Sequence, residues 1–244
     1  MIKILVIGES CRDVFNYGEC NRLCPEAPVP IFNPSESIEN AGMAMNVQNN
    51  IVSLGVKCDL VTNDNWQDIK KIRHIDQRTN HMFIRIDEND NDYGRCNLNN
   101  ISWSEYDAVV ISDYNKGFLT ESDIRTITDN HECVFMDTKR TLGPWANKVH
   151  YIKVNHSEYL KTKRFLTKTL ENKLIITLGS QGSKHQDTIY SVPRVEIKDT
   201  SGAGDTFVSG LVVKYVQTMD IKKSIIYANK CATKVVQKRG VDII

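Results

Sequence analysis

Short apolar runs alternate with stretches of helical period along almost the whole chain. Residues 2–7, 58–62, 108–112, 133–136, 151–154 and 174–178 are apolar and β-branched enough to read as buried strands. Residues 44–54, 157–169, 203–219 and 221–238 carry apolar positions at helical spacing, and Gly55 ends the first of these as a left-handed stop. Strand–helix alternation of this kind predicts an α/β fold, a mostly parallel sheet with helices on both faces. Ligands in such sheets collect beyond the carboxyl ends of the strands, where Gly8, residues 112–114, Asp137 and Asn155 fall. Two stretches break the alternation. Residues 15–37 are rich in proline and turn formers with a short extended piece at 29–32, and residues 82–87 form a second extended piece before a polar turn. Together they predict a small β lid over the site, with two irregular loops as the plainer alternative. No repeat, low-complexity tract or linker divides the chain, so 1–244 reads as one domain.

Composition narrows the function classes. With 244 residues and 41% hydrophobic content the chain can bury a sizeable core. Its 31 basic and 30 acidic residues leave a formal charge of +1, which gives no electrostatic case for nucleic acid or a membrane surface as partner. The basic clusters at 70–73 and 161–168 read as solvated helix faces. Seven scattered cysteines match no zinc spacing and read as free thiols of a reducing cytoplasm. Residues 1–8 read as a core strand too short for a secretion signal, and no apolar run approaches bilayer length. A cytoplasmic location is the expectation.

The chemistry concentrates in Asp199-Thr200-Ser201-Gly202-Ala203-Gly204-Asp205-Thr206-Phe207, between a strand-like stretch (194–198) and an apolar helical run. Two glycines let the backbone turn tightly and aim several N–H groups into one space, and the following helix adds its positive end. That is a nest for a multiply charged anion. Asp205 beside it would repel a phosphate unless it takes a proton from a hydroxyl attacking that phosphate. A glycine-containing turn with a dipole-favoured aspartate is the plainer reading of any shorter piece. The Gly-Lys-Ser/Thr pattern of ordinary P-loops is absent.

The full string resembles the C-terminal signature of the ribokinase-like (PfkB) sugar kinases, in which the matching aspartate is the catalytic base. The resemblance extends along the chain. Asp13, after the first strand, and Gly42-Met43-Ala44-Met45-Asn46, opening a helix, are similar to the family's sugar-binding Asp and Gly-Gly-x-x-Asn segment; carboxylate and carboxamide suit sugar hydroxyls. Residues 22–30, together with 13–18, 50–55 and 112–117, resemble the D-glycero-β-D-manno-heptose-7-phosphate kinases of lipopolysaccharide precursor synthesis. Asn155-His156-Ser157-Glu158 resembles the Asn-x-x-Glu motif tied to Mg²⁺, which implies Glu158 as a ligand, directly or through water. Thr177-Leu178-Gly179-Ser180-Gln181-Gly182 resembles the nucleotide-contacting turn, with Thr177, Gly179 and Gly182 as its members. Lys139 of Asp137-Thr138-Lys139 and Asn229 of a helix flanking the adenine complete the implied nucleotide side.

The resemblance implies a ribokinase-like three-layer α/β/α fold with lid segments at about 15–37 and 82–87. It implies transfer of the γ-phosphoryl group of ATP, with Mg²⁺, to a sugar-phosphate hydroxyl, most specifically heptose 7-phosphate to heptose 1,7-bisphosphate. Asp205 is then the base, and the amides of Gly202, Ala203 and Gly204 stabilise the transferring group. Asp13, Gly42 and Asn46 bind the sugar, and Arg22, Arg85 and Lys116 are candidates for its phosphate. A homodimer through the lid is a further expectation. The chain departs from the pattern in a shortened 61–82 region, where only a short helical piece is expected. It also departs in Met43 where a second glycine belongs, in Glu9 for an aspartate, and in reading as a kinase module with no nucleotidyltransferase following. A kinase for another sugar, or a ligand-binding module of the same fold without turnover, are the alternatives.

Overall fold

The computed structural model describes residues 1–240 and 243–244. Its strands are β1 (Lys3–Gly8), β2 (Ser10–Glu19), β3 (Asn33–Met43), β4 (Lys57–Val61), β5 (Lys70–Asp76), β6 (Met82–Glu88), β7 (Ala108–Asp113), β8 (Val134–Thr138), β9 (Tyr151–Asn155), β10 (Leu174–Thr177), β11 (Ser183–His185) and β12 (Thr188–Tyr190). The helices are α1 (Ala44–Ser53), α2 (Glu121–Asn130), α3 (His156–Thr162), α4 (Lys168–Glu171), α5 (Ala203–Thr218) and α6 (Ile221–Val235). One sheet runs β12-β11-β10-β9-β8-β7-β1-β4, parallel from β4 to β10 and antiparallel at β11 and β12.

Strand residues alternate between two buried faces, which is why the central strands read as continuous apolar runs. Ile4, Val6, Val110 and Phe135 pack with α1, α5 and α6, while Leu5, Ile7, Ile111 and Met136 pack with Ile124 and Ile127 of α2 and Leu170 of α4. The three-layer α/β/α arrangement follows. Among the described residues no helix is long and apolar enough to cross a membrane.

A second sheet, ordered β3-β2-β5-β6, forms the lid; β2 pairs antiparallel with β3 and parallel with β5, and β5 antiparallel with β6. Several expectations change here. Residues 70–73 are the start of β5, not a helix face, because Lys70 and Ile72 alternate with Lys71 and Arg73 across a strand carrying charge on both sides. No helix occupies the shortened region before β5; residues 64–68 are turns. The lid begins earlier than residue 15, at Ser10, while 20–32 forms an exposed excursion closed by the Leu23–Pro30 bridge.

Elsewhere, Thr167 restarts the chain as α4 by accepting from Leu170 N (3.3 Å), so the helix expected over 157–169 is split. Helix α2 is not among the expected elements, although its Thr120–Asp123 capping box is written in the sequence. Residues 194–198 lie outside both sheets, and Lys198 N donates instead to Val236 O (2.8 Å).

Candidate active site

The turn before α5 is shaped by its glycines. Gly202 adopts φ 74°, in the left-handed region. Asp199 fixes the turn from outside, accepting from Ser201 N (2.8 Å) and Gly240 N (3.1 Å). Ala203 N already donates to Thr200 O at 3.3 Å, so the turn does not present the expected Ala203 amide to a ligand. The amides of Gly202 and Gly204 remain, at a helix start where N–H groups lack intrahelical acceptors. A Cβ at Gly204 would lie 2.8 Å from Lys153 Nζ, so a larger residue there would push that ammonium aside.

Asp205, in the first turn of α5, is buried with both oxygens addressed. Asn46 Nδ2 donates to Oδ2 at 2.8 Å, and the Tyr114 hydroxyl donates to Oδ1 at 3.1 Å. Burial pushes its carboxyl up to about 6, helped by the charge of Asp137 and opposed by the Asn46 and Tyr114 hydrogen bonds and by Lys153. Burial likewise raises the Tyr114 phenol well above its usual range, aided by the charges of Asp205 and Asp137, so it stays protonated as a donor. Buried Glu9 holds this tyrosine's loop, accepting from Tyr114 N (2.9 Å) and Lys116 N (3.0 Å).

A polar cleft runs from Asp205 across the carboxyl ends of β8 and β9, lined by Asp137, Lys139, Lys153 and Asn155. Lys153 Nζ donates to Asp137 Oδ2 at 2.7 Å, and Lys139 Nζ lies 3.8 Å from Oδ1, which has no hydrogen-bond partner of its own. Burial pushes the Asp137 carboxyl up, but Lys153 and Lys139 more than reverse it and hold it below the usual range. At Thr177, Gly179, Thr200 and Gly204 the polar cleft meets an apolar slot walled by Val192, Val195, Ile197, Phe207 and Val236. Such a pair suits a ligand with a flat apolar end and an anionic one.

On the other side of Asp205 lies the lid. Asp13, buried in β2, accepts from Arg73 Nη1 at 2.6 Å, and Arg73 stacks over Phe15. A Cβ at Gly42 would fall 2.6 Å from Asp13 Oδ2, so β3 passes this carboxylate only as glycine. Met43 follows at φ 62° and ψ −129°, a backbone that costs a residue with a Cβ about 1–3 kcal/mol. Asn46 links the two sides: buried in α1, it donates to Asp205 while its own oxygen accepts from Asn50 Nδ2 (3.1 Å).

A glycine turn at a helix start, a buried carboxylate beside it and a lid sheet beyond are parts that a kinase for small alcohols could use, and the sequence match agrees: residues 46–244 match the pfkB family of carbohydrate kinases. The chain belongs to that family. It is 27% identical over 295 residues to the bifunctional protein HldE of a Helicobacter pylori strain, and 27% identical over 289 residues to that of a Nitratiruptor species. These alignments cover 98% of this chain but only 64% and 62% of the relatives, so the chain spans just under two thirds of their length. Among solved structures, the ribokinase of Thermotoga maritima superposes with TM-score 0.73 at 16% identity, covering 99% of this chain and 95% of its own. The ribokinase of Arabidopsis thaliana complexed with ribose and ATP gives 0.74 at 14%, covering 98% and 94%. The fold of this pfkB chain is therefore ribokinase-like.

The structure gathers most residues singled out in the sequence, with differences. Lys139, Asn155, Thr177 and Gly179 line the polar cleft, and Gly182 and Asn229 the apolar slot. Asn229 also donates to Tyr190 O at 2.9 Å, and a Cβ at Gly182 would meet that same oxygen at 2.1 Å. Glu158 is committed elsewhere: Oε2 accepts from Asn155 N (2.7 Å) in a capping box, and Oε1 pairs with Lys139 at 2.5 Å. Both its oxygens are engaged, which weakens it as a direct metal ligand.

Lys116 pairs with Asp90 (2.5 Å) beside the lid, and Arg85 stands opposite Arg73 in the strand register. Arg22 does not join them. It is exposed on the 20–32 excursion, and among the described residues no ion pair ties its side chain to the pocket. Sequence reasoning missed Lys153, Lys71 and Arg73 and gave Tyr114 no role of its own. A lysine inside the apolar run of β9 was the available signal for Lys153.

Proposed function

We propose that the chain transfers the γ-phosphoryl group of ATP to a hydroxyl of a sugar phosphate, specifically heptose 7-phosphate to give heptose 1,7-bisphosphate. The observation that carries phosphoryl transfer is the position of Asp205, between the lid pocket on one side and the anion turn on the other. The likeness of residues 22–30 to the heptose-phosphate kinases supports the choice of sugar, as does the cation-rich lid pocket. Asp205 takes the proton of the attacking sugar hydroxyl. The Gly202 and Gly204 amides and Lys153 face the transferring group, where preorganised positive charge stabilises the charge that develops. Asp13 and Asn46 bind sugar hydroxyls. The apolar slot beside Phe207 takes the nucleobase.

Mg²⁺ fits this cleft through the unpartnered Asp137 Oδ1, a hard oxygen ligand, and when bound it supplies charge neutralisation on nucleotide phosphates. The test is ADP release from a panel of sugars and sugar phosphates with ATP and Mg²⁺. Faster turnover of ribose, fructose or a nucleoside than of any sugar phosphate defeats the heptose assignment.

Two predictions arise from the same geometry. A base whose carboxyl lies near 6 must be ionised to act, so kcat rises with pH through about 6 and levels above it. Tyr114→Phe removes a hydrogen bond that favours the ionised form, so the acid limb moves upward; a limb that stays put places the titration on another group.

The lid supplies the other prediction. Its outer face exposes Ile84 and Ile86, with Ile86 opposite Ile72, and Ile72 in turn opposite Val14. A second copy is the proposed cover for this face. Sedimentation equilibrium then finds a dimer that Ile86→Lys dissociates, and a monomeric parent chain sinks the idea.

A further inference from the structure

The inner face of the lid carries a charge arrangement that phosphoryl transfer itself does not use. Three cations on or beside it are paired at hydrogen-bond distance: Arg73 with Asp13 (2.6 Å), Arg85 with Asp87 (2.6 Å) and, from the loop after β7, Lys116 with Asp90 (2.5 Å). Lys71 is different. It is only 6% exposed, yet its nearest carboxylate oxygen among the described residues is Asp90 Oδ1, 3.9 Å away. Its close contact is the Met43 thioether at 3.2 Å, a weak acceptor.

The strand register explains the shortfall. Lys71 lies opposite Asp13 on β2 and Asp87 on β6, and these carboxylates are engaged by Arg73 and Arg85, two positions along their strands. A buried ammonium without a hydrogen-bonded anion is unfavourable unless something else supplies one. Its place in the pocket says what that could be. Lys71 Nζ sits 5.3 Å from the centre of the Tyr114 ring, and the hydroxyl of that ring donates to Asp205. One aromatic ring therefore separates the buried base from the under-paired cation, a spacing that a sugar chain can bridge.

We propose that Lys71 recognises the phosphate of a sugar phosphate whose reacting hydroxyl meets Asp205, a role that rests on the sugar-phosphate reading above. Lys116 flanks the same position through Asp90. A phosphate oxygen replaces the thioether as acceptor for the ammonium, a charge-assisted hydrogen bond that a free sugar cannot form. Selection of phosphorylated substrates thus resides in β5, not in the exposed excursion that holds Arg22.

Calorimetry on the full chain, with a non-hydrolysable ATP analogue present, tests this with heptose 7-phosphate and free heptose as the two probes. The unaltered chain binds the phosphorylated sugar at least about tenfold more tightly. Lys71→Met, which keeps the stem and removes the charge, brings that ratio to within about threefold of unity. Asp90→Asn, which removes the carboxylate competing for Lys71 and Lys116, moves the ratio the other way, and a damaged fold cannot mimic a gain in preference. If the parent chain favours the phosphate and Lys71→Met keeps that preference, Lys71 is not the recognition residue while the sugar-phosphate reading stands. If Lys71→Met does not fold, Asp90→Asn decides, and an unraised ratio overturns the role of Lys71. A parent chain that binds both sugars equally overturns the sugar-phosphate reading itself.

Discussion

Asp205→Asn is expected to lower kcat by about a thousandfold, with affinity for an ATP analogue largely retained. The substitution keeps the shape of the side chain and removes the only function asked of it, accepting a proton, and general-base contributions run to about 10²–10⁴. Stability separates this from simple damage. The carboxyl titrates near 6 when folded against 3.8 for the ordinary group, so the folded state holds its proton more tightly than the unfolded one. Stability from this group is therefore greatest below about pH 4 and falls as pH rises through about 6. Above that the buried charge costs about 3 kcal/mol. Asn carries no such penalty. At pH 8 the variant should melt no lower than the parent, and its advantage should shrink toward pH 5. A variant that loses activity and also melts well below the parent at pH 8 would show Asp205 to be a structural residue.

The sequence made the sheet and the candidate catalytic turn legible for different reasons. Strands such as β1 and β7 are buried on both faces, so their apolar runs are unbroken and hard to misread. The turn at 199–207 holds its glycines and its aspartate in one unbroken stretch, so reading it needs no long-range pairing. The lid is harder. Lys71 and Arg73 face the pocket from β5 and are charged because the pocket is polar, while Ile72 between them faces outward. A strand with charge on its inner face and an apolar residue on its outer one inverts the usual pattern, and 70–73 accordingly read as a helix surface.

Gly42 and Met43 read as a binding turn in the sequence, but what they reveal is a backbone constraint. Gly42 leaves room for Asp13, and Met43 holds a conformation in which glycine is the easy choice. Glu158 draws attention through a motif, although its hydrogen bonds to Asn155 and Lys139 explain it as the brace of that corner. Lys153 carries no motif at all, and only the fold brings it to Gly204 and Asp137.

Lys153→Met is expected to lower kcat by about a hundredfold, the scale for losing one preorganised group at a developing charge. Lys153 is also the hydrogen-bonded partner of buried Asp137. Removing one member of such a pair leaves an uncompensated charge and costs about 3–5 kcal/mol. Lys139, 3.8 Å away on the other oxygen, offsets part of that. The single variant should therefore melt lower than the parent as well as turn over slowly.

Asp137→Asn in the same chain removes the stranded charge, so the double variant should recover most of the lost melting temperature. Its turnover should not recover, since the cation facing the transferring phosphoryl group is still missing. Because Asp137 also holds the proposed Mg²⁺ position, Asp137→Asn alone is the reference: the double variant should turn over about tenfold or more below that single variant, which a lysine that only neutralises Asp137 cannot produce. If the double variant turns over as fast as Asp137→Asn alone, Lys153 serves only to neutralise Asp137, and the anion site consists of the two glycine amides and the helix end alone.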